Sequence, residues 1–175
     1  MMAATGENAE NGARPEGFQR VERELQRLGH ARAPCFLDAA VRTSQQAADA
    51  LGIQVGQIAK SVVFRRKADE VAVVVIASGD RRVDEKKVAA IVGAIGRADA
   101  EFVKAKTGFT IGGVSPVAHA SPVVTLIDRE LFRFAEIWAA AGHPNGVFPM
   151  TPAELERMTG APVHDVAQES APAAP

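Results

Sequence analysis

The stretch Ile58-Ala59-Lys60-Ser61-Val62-Val63-Phe64-Arg65 decides the fold, because a short apolar run rich in β-branched residues is typical of a strand. A second run with the same character extends from Val71 to Ala77. The charged stretch between the two runs is too short to hold a crossover helix. The sequence therefore predicts an antiparallel hairpin.

Helices are expected on both sides of this hairpin. Phe18, Val21, Leu25 and Leu28 recur at helical spacing ahead of Gly29. The sequence Thr43-Ser44-Gln45-Gln46 resembles a capping box and predicts a helix that ends at Gly52. The other predicted helices are one from Asp84 with Val88, Ile91, Val92 and Ile95 on its buried face, one over Ala100 to Lys106, a single turn over Asp128 to Phe132, and one opened by Thr151, Pro152 and Glu154.

Three later segments are predicted to be strands, namely Val123 to Ile127, Glu136 to Ala140, and a final edge strand over Val163 to Val166. Because the spacing is irregular and several connections are short, we expect an α/β (α+β) fold. Its core is a mixed, mainly antiparallel β-sheet or barrel-like core flanked by helices, rather than a doubly wound nucleotide-binding fold. One domain is expected over residues 17–167, with a disordered arm at 1–16 and a disordered tail at 168–175.

Charge and composition argue against some classes of function. A formal net charge of −1 does not fit a general nucleic-acid coat, but it leaves room for a protein that grips one RNA end. Cys35 is the only cysteine, so no intrachain disulfide can form and a reducing, cytoplasmic location is expected. No apolar run approaches the roughly 20 residues of a membrane span, and residues 1–15 lack the apolar centre of a signal peptide.

Lys60 is the first candidate for chemistry, because it interrupts an apolar strand. Alternation along the strand places Lys60, Val62 and Phe64 on one side. The lysine can be an edge-strand residue that reaches out to water. Alternatively, it points into a cleft and meets an anionic or carbonyl group, for which a compact charge with three donors is suited.

The second candidate is the loop Thr107-Gly108-Phe109-Thr110-Ile111-Gly112-Gly113-Val114-Ser115-Pro116. Paired glycines allow a close backbone approach and positive φ. Exposed N–H groups in such a loop can hold a developing oxyanion or a phosphate. A tight turn between two elements is the alternative, and the loop is not a Walker motif because no Gly-Lys-Ser/Thr follows it.

The remaining reactive residues do not combine into a recognisable site. Cys35 is more typical of a buried small apolar residue than of a nucleophile. Ser115 lies outside a Gly-x-Ser-x-Gly elbow, so no triad is assembled. The spacing of the histidines is not that of a metal site, so we interpret them as surface or structural residues. They are His30, His119, His143 and His164. His119 and His143 are weak candidates for the functional site, because both follow glycine-bearing loops.

Taken together, these motifs resemble the YbaK/EbsC family of aminoacyl-tRNA editing proteins, which is related to the editing domain of bacterial prolyl-tRNA synthetase. The resemblance runs from about Phe18 to Val166 and depends on the order and spacing of its pieces. They are the segments Ala47 to Gly52, Ile58 to Phe64, Asp84 to Val88, Thr107 to Pro116, and Gly142-His143-Pro144-Asn145-Gly146.

The resemblance implies a trans-editing deacylase that hydrolyses the ester of mischarged tRNA, without a metal or organic cofactor. One candidate substrate is tRNA-Pro carrying a small non-cognate amino acid. Lys60 matches the family's essential lysine, and Gly112 and Gly113 complete the catalytic set. The implied substrate-binding residues are Ser61, Val114, Ser115, Pro116 and His143. Ser61 departs from the asparagine or threonine of relatives, so the amino-acid specificity stays open.

The expected partner is the aminoacylated acceptor end of tRNA, with an aminoacyl-tRNA synthetase as a further candidate and no membrane. Two basic groups that the hairpin could bring to the flanks of the cleft are candidates for RNA binding: Arg65 and Arg66, and then Arg81, Arg82 and Lys86. Two alternatives remain at this point. One is a non-catalytic module that binds tRNA or a synthetase, and the other is a small-molecule esterase or nucleotide-phosphate binder.

Overall fold

The computed structural model describes residues 14–169, which form one mixed sheet with helices packed around it. The strands are β1 (Cys35–Phe36), β2 (Ile58–Arg66), β3 (Ala72–Ser78), β4 (Ile95–Arg97), β5 (Val124–Asp128), β6 (Ile137–Ala140), β7 (Gly146–Met150) and β8 (Val163–His164). The helices are α1 (Glu16–Arg27), α2 (Ser44–Leu51), α3 (Glu85–Val92), α4 (Ala100–Thr107) and α5 (Pro152–Thr159). Short 3-10 turns, Val55–Gln57 and Arg129–Arg133, precede β2 and follow β5.

The strand order within these residues is β1-β7-β6-β2-β3-β5-β8, and β4 pairs with the outer half of β2. The pairs β1–β7, β2–β3, β2–β4 and β6–β7 are antiparallel. The pairs β2–β6, β3–β5 and β5–β8 are parallel. The prediction of a mixed, mainly antiparallel sheet flanked by helices is confirmed.

The predicted hairpin is the centre of this sheet. β2 and β3 pair in a register that sets Lys60 opposite Ala77 and Arg65 opposite Ala72. Every residue of β3 is buried, which explains its continuous apolar sequence. Because of this register, Lys60 lies at the end of the hairpin away from its turn, whereas Arg65 lies beside the turn.

The helices begin at the capping residues that the sequence predicts. The carboxylate of Asp84 accepts hydrogen bonds from the N–H groups of Lys86 and Lys87 at the start of α3. Thr151 and Glu154 form a complete capping box at α5. At α2 the Thr43 hydroxyl accepts from the Gln46 N–H, but the Gln46 side chain accepts from the Arg42 N–H and so binds one residue earlier than in a capping box.

The buried face predicted for α3 is partly wrong. Val88 is fully buried, but 40% of Ile91 is exposed. The helix ends at Val92 because Gly93 adopts a φ of +95°, and Ile95 already belongs to β4, opposite Arg66. The apolar residues keep helical spacing past the end of α3, so the periodicity predicted a helix at the point where Gly93 makes a turn.

The segments expected to be disordered, 1–16 and 168–175, lie outside the described residues except for 14–16, 168 and 169. Residue 16 already belongs to α1. No helix within 14–169 is both long enough and apolar enough to cross a membrane.

Candidate active site

Lys60 opens into a cavity of about 330 Å³ at the inner end of the hairpin. The size is within the range of small-ligand pockets. Its walls come from the start of α2, from β2, from the glycine loop, from β6 and from the segment that leads into β7, so five separate parts of the chain meet here. The lining residues are Val41, Arg42, Thr43, Ser44, Ala47, Ile58, Ala59, Lys60, Ser61, Ile111, Gly112, Val114, Trp138, Ala139, Ala140, Pro144 and Val147.

The Lys60 ammonium is partly buried and is not neutralised by a direct partner. Within residues 14–169 no carboxylate makes an ion pair with it, and Asp80 and Asp128 act on it only through space. Burial lowers the pKa of Lys60, the charge of Arg82 lowers it further, and the two carboxylates oppose this shift. A cation that is already partly desolvated and unpaired is suited to bind an anionic or strongly polarised group of a ligand.

A hydrogen-bonded cluster behind Lys60 fixes the nearby charges. Arg133 donates to both carboxylate oxygens of Asp80, at 2.8 and 3.1 Å, and to the Ser78 hydroxyl at 2.8 Å. The Ser78 N–H donates to the buried carboxylate of Asp128 at 3.1 Å. The Arg133 guanidinium lowers the pKa of Asp80, whereas burial raises that of Asp128. The cluster therefore holds a carboxylate at a fixed position near Lys60.

Gly112 brings the glycine loop into the wall of the same cavity. Its φ of +91° lies in the left-handed region, and a Cβ there would meet only Pro144, at 3.7 Å from Cγ. Glycine is favoured by backbone conformation here, rather than by a lack of space.

Gly113 has a different role from Gly112. Its N–H group was expected to be available to an oxyanion, and it is not. That N–H already donates to the Thr110 carbonyl at 3.0 Å. A Cβ at Gly113 would lie 2.8 Å from the Cα of His143. Gly113 therefore permits close packing between two loops, and only Gly112 of the pair lines the cavity.

The implied substrate-binding residues divide into two groups. Ser61 and Val114 line the cavity. Ser115 is fully buried and its hydroxyl accepts from the Val117 N–H, whereas Pro116 faces a second, more open cavity on the other side of the loop. The ring of His143 packs on Phe36, with its centroid 5.0 Å away, and accepts from the Asn145 N–H. The side chains of Ser115, Pro116 and His143 thus do not reach the Lys60 cavity.

Ser61 shows an unusual feature for a wall residue. Its Oγ is buried and has no hydrogen-bond partner within the part of the chain that the structure describes. Buried hydroxyls are normally paired, because an unpaired one costs about 1–3 kcal/mol. Because this Oγ has essentially no accessible surface, the hydroxyl is not open to the cavity, and Ser61 contributes to the wall through its other atoms.

Sequence reasoning missed several residues of the cavity. Arg42, Thr43 and Ser44 reach it from the start of α2, and Trp138 reaches it from β6. The capping pattern at Thr43 predicted the helix, but no local pattern shows that the start of this helix lies beside Lys60. Trp138 was missed because a long connection separates β6 from β2 in the sequence. Arg42 is exposed and makes no ion pair among residues 14–169, so it adds a second cation at the cavity.

The basic groups predicted to bind RNA lie at opposite ends of the hairpin. Arg65 and Arg66 are near its turn, about 17 Å along β2 from Lys60, and pair with Glu70 and Asp69. The expectation that both groups flank the cleft is therefore wrong for this first group. The second group follows β3, where Arg81 lies near Asp80 and Glu130. Arg82 and Lys86 are exposed and make no ion pair among the described residues.

The model of the aminoacyl-tRNA editing domain matches residues 38–158, which hold the hairpin, the glycine loop and the cavity between them. The chain belongs to the aminoacyl-tRNA editing domain family. The resemblance seen in the sequence is thereby confirmed. Helix α1 lies before the matched residues.

Two curated relatives place the editing domain among bacterial proteins. This chain is 35% identical over 118 residues to YwhH, an uncharacterized protein of Bacillus subtilis (strain 168). The aligned residues cover 67% of this chain and 74% of YwhH. The chain is 30% identical over 95 residues to proline–tRNA ligase of Thermoanaerobacter sp. (strain X514). That second match covers 52% of this chain and 16% of the ligase, so it concerns a small part of the larger enzyme.

Solved structures show the same fold. One, described as the "crystal structure of a putative trans-editing enzyme for prolyl tRNA synthetase", has a TM-score of 0.84 and 38% identity, and covers 90% of this chain and 100% of that one. Another, hypothetical protein APE2540, has a TM-score of 0.79 and 29% identity over 85% of this chain and 99% of that one.

Proposed function

We propose that this editing domain is a trans-acting deacylase that hydrolyses the ester between a wrongly attached amino acid and the terminal ribose of tRNA. The observation that carries the proposal is the unpaired Lys60 charge, which opens into the same cavity as the backbone of Gly112. A cation at this position is suited to the phosphate of the terminal nucleotide and to the negative charge that develops on the ester carbonyl oxygen.

The chemistry proceeds by addition of water to the ester carbonyl. The new C–O bond forms from the water oxygen, the bond to the ribose oxygen breaks, and the proton lost by water ends on the ribose hydroxyl. Lys60 stabilises negative charge that develops on the carbonyl oxygen, and the cavity wall at Ser61 and Gly112 orients the aminoacyl group. Because an aminoacyl ester is already activated, orientation and charge stabilisation suffice without a nucleophilic triad.

The first candidate substrate is tRNA-Pro carrying a small non-cognate amino acid. Support comes from the match to part of a proline–tRNA ligase and from the neighbour described as a trans-editing enzyme for prolyl tRNA synthetase. A synthetase is then the partner that supplies the mischarged tRNA. The cavity wall also has an apolar part, which is formed by Val41, Ile58 and Trp138. This part accommodates an apolar side chain of the attached amino acid.

The acceptor stem is expected to lie over Arg82 and Lys86 rather than over the hairpin turn. Both residues are exposed and unpaired among residues 14–169, and the charge of Arg82 reaches Lys60. A phosphate track that ends at Lys60 explains how a protein with net charge −1 holds one end of an RNA.

The decisive experiment is deacylation of a panel of mischarged tRNAs by the wild type, by Lys60→Met and by Lys67→Met. Lys67 is an exposed lysine just past the end of β2, so its substitution removes the same charge away from the cavity. We expect the wild type and Lys67→Met to release amino acid, and Lys60→Met to lose at least about 100-fold of the rate, as when a group that stabilises transition-state charge is removed.

Other results would support other functions. Tight tRNA binding without hydrolysis by the wild type would indicate a binding module. Hydrolysis of simple amino-acid esters that uncharged tRNA does not inhibit would indicate a small-molecule esterase. Equal rates for Lys60→Met and Lys67→Met would refute the assignment of the site.

A further inference from the structure

Helix α1 contacts both loops that build the candidate site, although it lies before the residues matched by the family model. The backbones of Gly17 and Gly142 touch so closely that neither position has room for a Cβ. Gly146, at the other end of the second loop, packs directly on the ring of Phe18. The helix is therefore part of the frame of the site.

Arg20 makes the strongest of these connections. Its Nε donates to the carbonyl of Ala118 at 3.1 Å, and its Nη2 donates to the carbonyl of Thr107 at 3.3 Å. One carbonyl belongs to Thr107, the first residue of the glycine loop, and the other to Ala118, two residues after its last residue, Pro116. A single planar guanidinium thus joins the two ends of that loop, a geometry that suits the rigid fork of arginine.

The same guanidinium also supports the interior of the loop. It lies over the ring of Phe109, 4.3 Å from the centroid, and the edge of that ring meets His119. The Nε2 of His119 lies 2.7 Å from the Ser115 carbonyl, to which it donates. The contacts therefore continue from Arg20 to the part of the loop that follows Gly112 and Gly113.

The backbone at the end of the loop is strained. Ala118 has a φ of +66°, a left-handed conformation that is strained for a residue with a Cβ. Its carbonyl is the one that accepts from the Arg20 Nε. A strained conformation persists where its surroundings fix it, and Arg20 supplies that restraint.

We propose that Arg20 is a positioning residue of the deacylation reaction. By holding both ends of the loop, it keeps Gly112 in the wall of the cavity into which Lys60 opens. This inference rests on the proposed function for its effect on rate, whereas the restraint on the loop can be measured without it.

The test compares Arg20→Met and Arg20→Lys with Arg27→Met in the full chain. Arg27 lies on the same helix and, among residues 14–169, forms an ion pair with Glu24 alone, so its loss tests the general effect of removing a cation from α1. Four quantities are measured: the thermal midpoint, the rate of amide hydrogen exchange, and kcat and KM for a mischarged tRNA at a temperature where all variants are folded.

We expect Arg20→Met to lower kcat by about 10- to 100-fold, as for a displaced catalytic geometry, with little change in KM. Arg20→Lys should recover part of the rate, because one ammonium can reach a carbonyl but cannot bridge both with a planar fork. Amides of residues 108–118 should exchange faster in Arg20→Met, while those of β2 and β3 keep their protection. Arg27→Met should resemble the wild type.

Two results would overturn the inference. One is a kcat for Arg20→Met equal to that of Arg27→Met. The other is faster exchange throughout the sheet, with activity lost only in proportion to the unfolded fraction. If Arg20→Met does not fold, the same comparison is made with Arg20→Lys. If the wild type hydrolyses no mischarged tRNA, the proposed function fails alone, and exchange of the loop still decides whether Arg20 restrains it.

Discussion

The replacement Gly112→Ala, compared with Gly93→Ala, separates backbone strain from function. Both glycines have a positive φ, +91° at Gly112 and +95° at Gly93, and the ψ of 178° at Gly93 completes a conformation that is essentially restricted to glycine. A Cβ meets nothing within 4 Å at Gly93, and only Pro144 at an ordinary 3.7 Å at Gly112. Forcing alanine into this region costs about 1–2 kcal/mol, and the reduced entropy of the unfolded chain offsets about 0.4–1 kcal/mol of it.

Gly112→Ala should therefore lose about 1 kcal/mol in the free energy of unfolding, or about 2–4 °C in the thermal midpoint for a domain of this size, and Gly93→Ala should lose at least as much. Urea unfolding should show a lower midpoint with an unchanged slope. Only Gly112 lines the cavity, so only Gly112→Ala should lose deacylation in single-turnover assays, by about tenfold or more. Equal deacylation rates for the two alanine variants would refute the role of the loop in the reaction.

Three further outcomes follow from the charges near the cavity. Lys60→Met should be more stable than the wild type at neutral pH, and the difference in unfolding free energy should shrink as rising pH deprotonates the folded lysine, whose pKa is lowered. Arg82→Gln should raise the pKa of Lys60, so the alkaline fall of kcat/KM should move to higher pH. Replacing Arg82 and Lys86 together by glutamine should reduce the salt slope of tRNA binding by about one unit per lost phosphate contact, whereas replacing Arg65 and Arg66 should leave it unchanged.

The elements of the fold that sequence reasoning predicted are those with a strong local pattern. β2 and β3 are apolar runs bounded by charge, and α5 carries a complete capping box. The strands that it missed depend on partners far along the chain. β1 and β4 are two or three residues long, and β7 contains Pro149, which is unfavourable in a strand unless its neighbours accommodate it.

In the candidate site, too, only the residues with a strong local pattern could be predicted. Lys60 could be singled out because a charge inside an apolar strand needs an explanation, and Gly112 because paired glycines do. The sequence could not show that the Gly113 N–H is taken up by Thr110, or that Ser115 turns inward, since both depend on the closed path of the loop. Arg42 was missed because no local pattern relates the start of α2 to β2.

The arrangement of the site also explains why so few reactive side chains are present. Residues that hold the backbone in place lie outside the cavity: Arg20 joins the ends of one loop, and Gly17 allows α1 to approach the other. The cavity itself holds the backbone of Gly112 and two cations that make no ion pair among residues 14–169, Lys60 and Arg42. An ester that is already activated needs a fixed polar environment more than a strong nucleophile. Substitutions that loosen the frame should therefore lower the rate nearly as much as those in the cavity, although they touch no substrate atom.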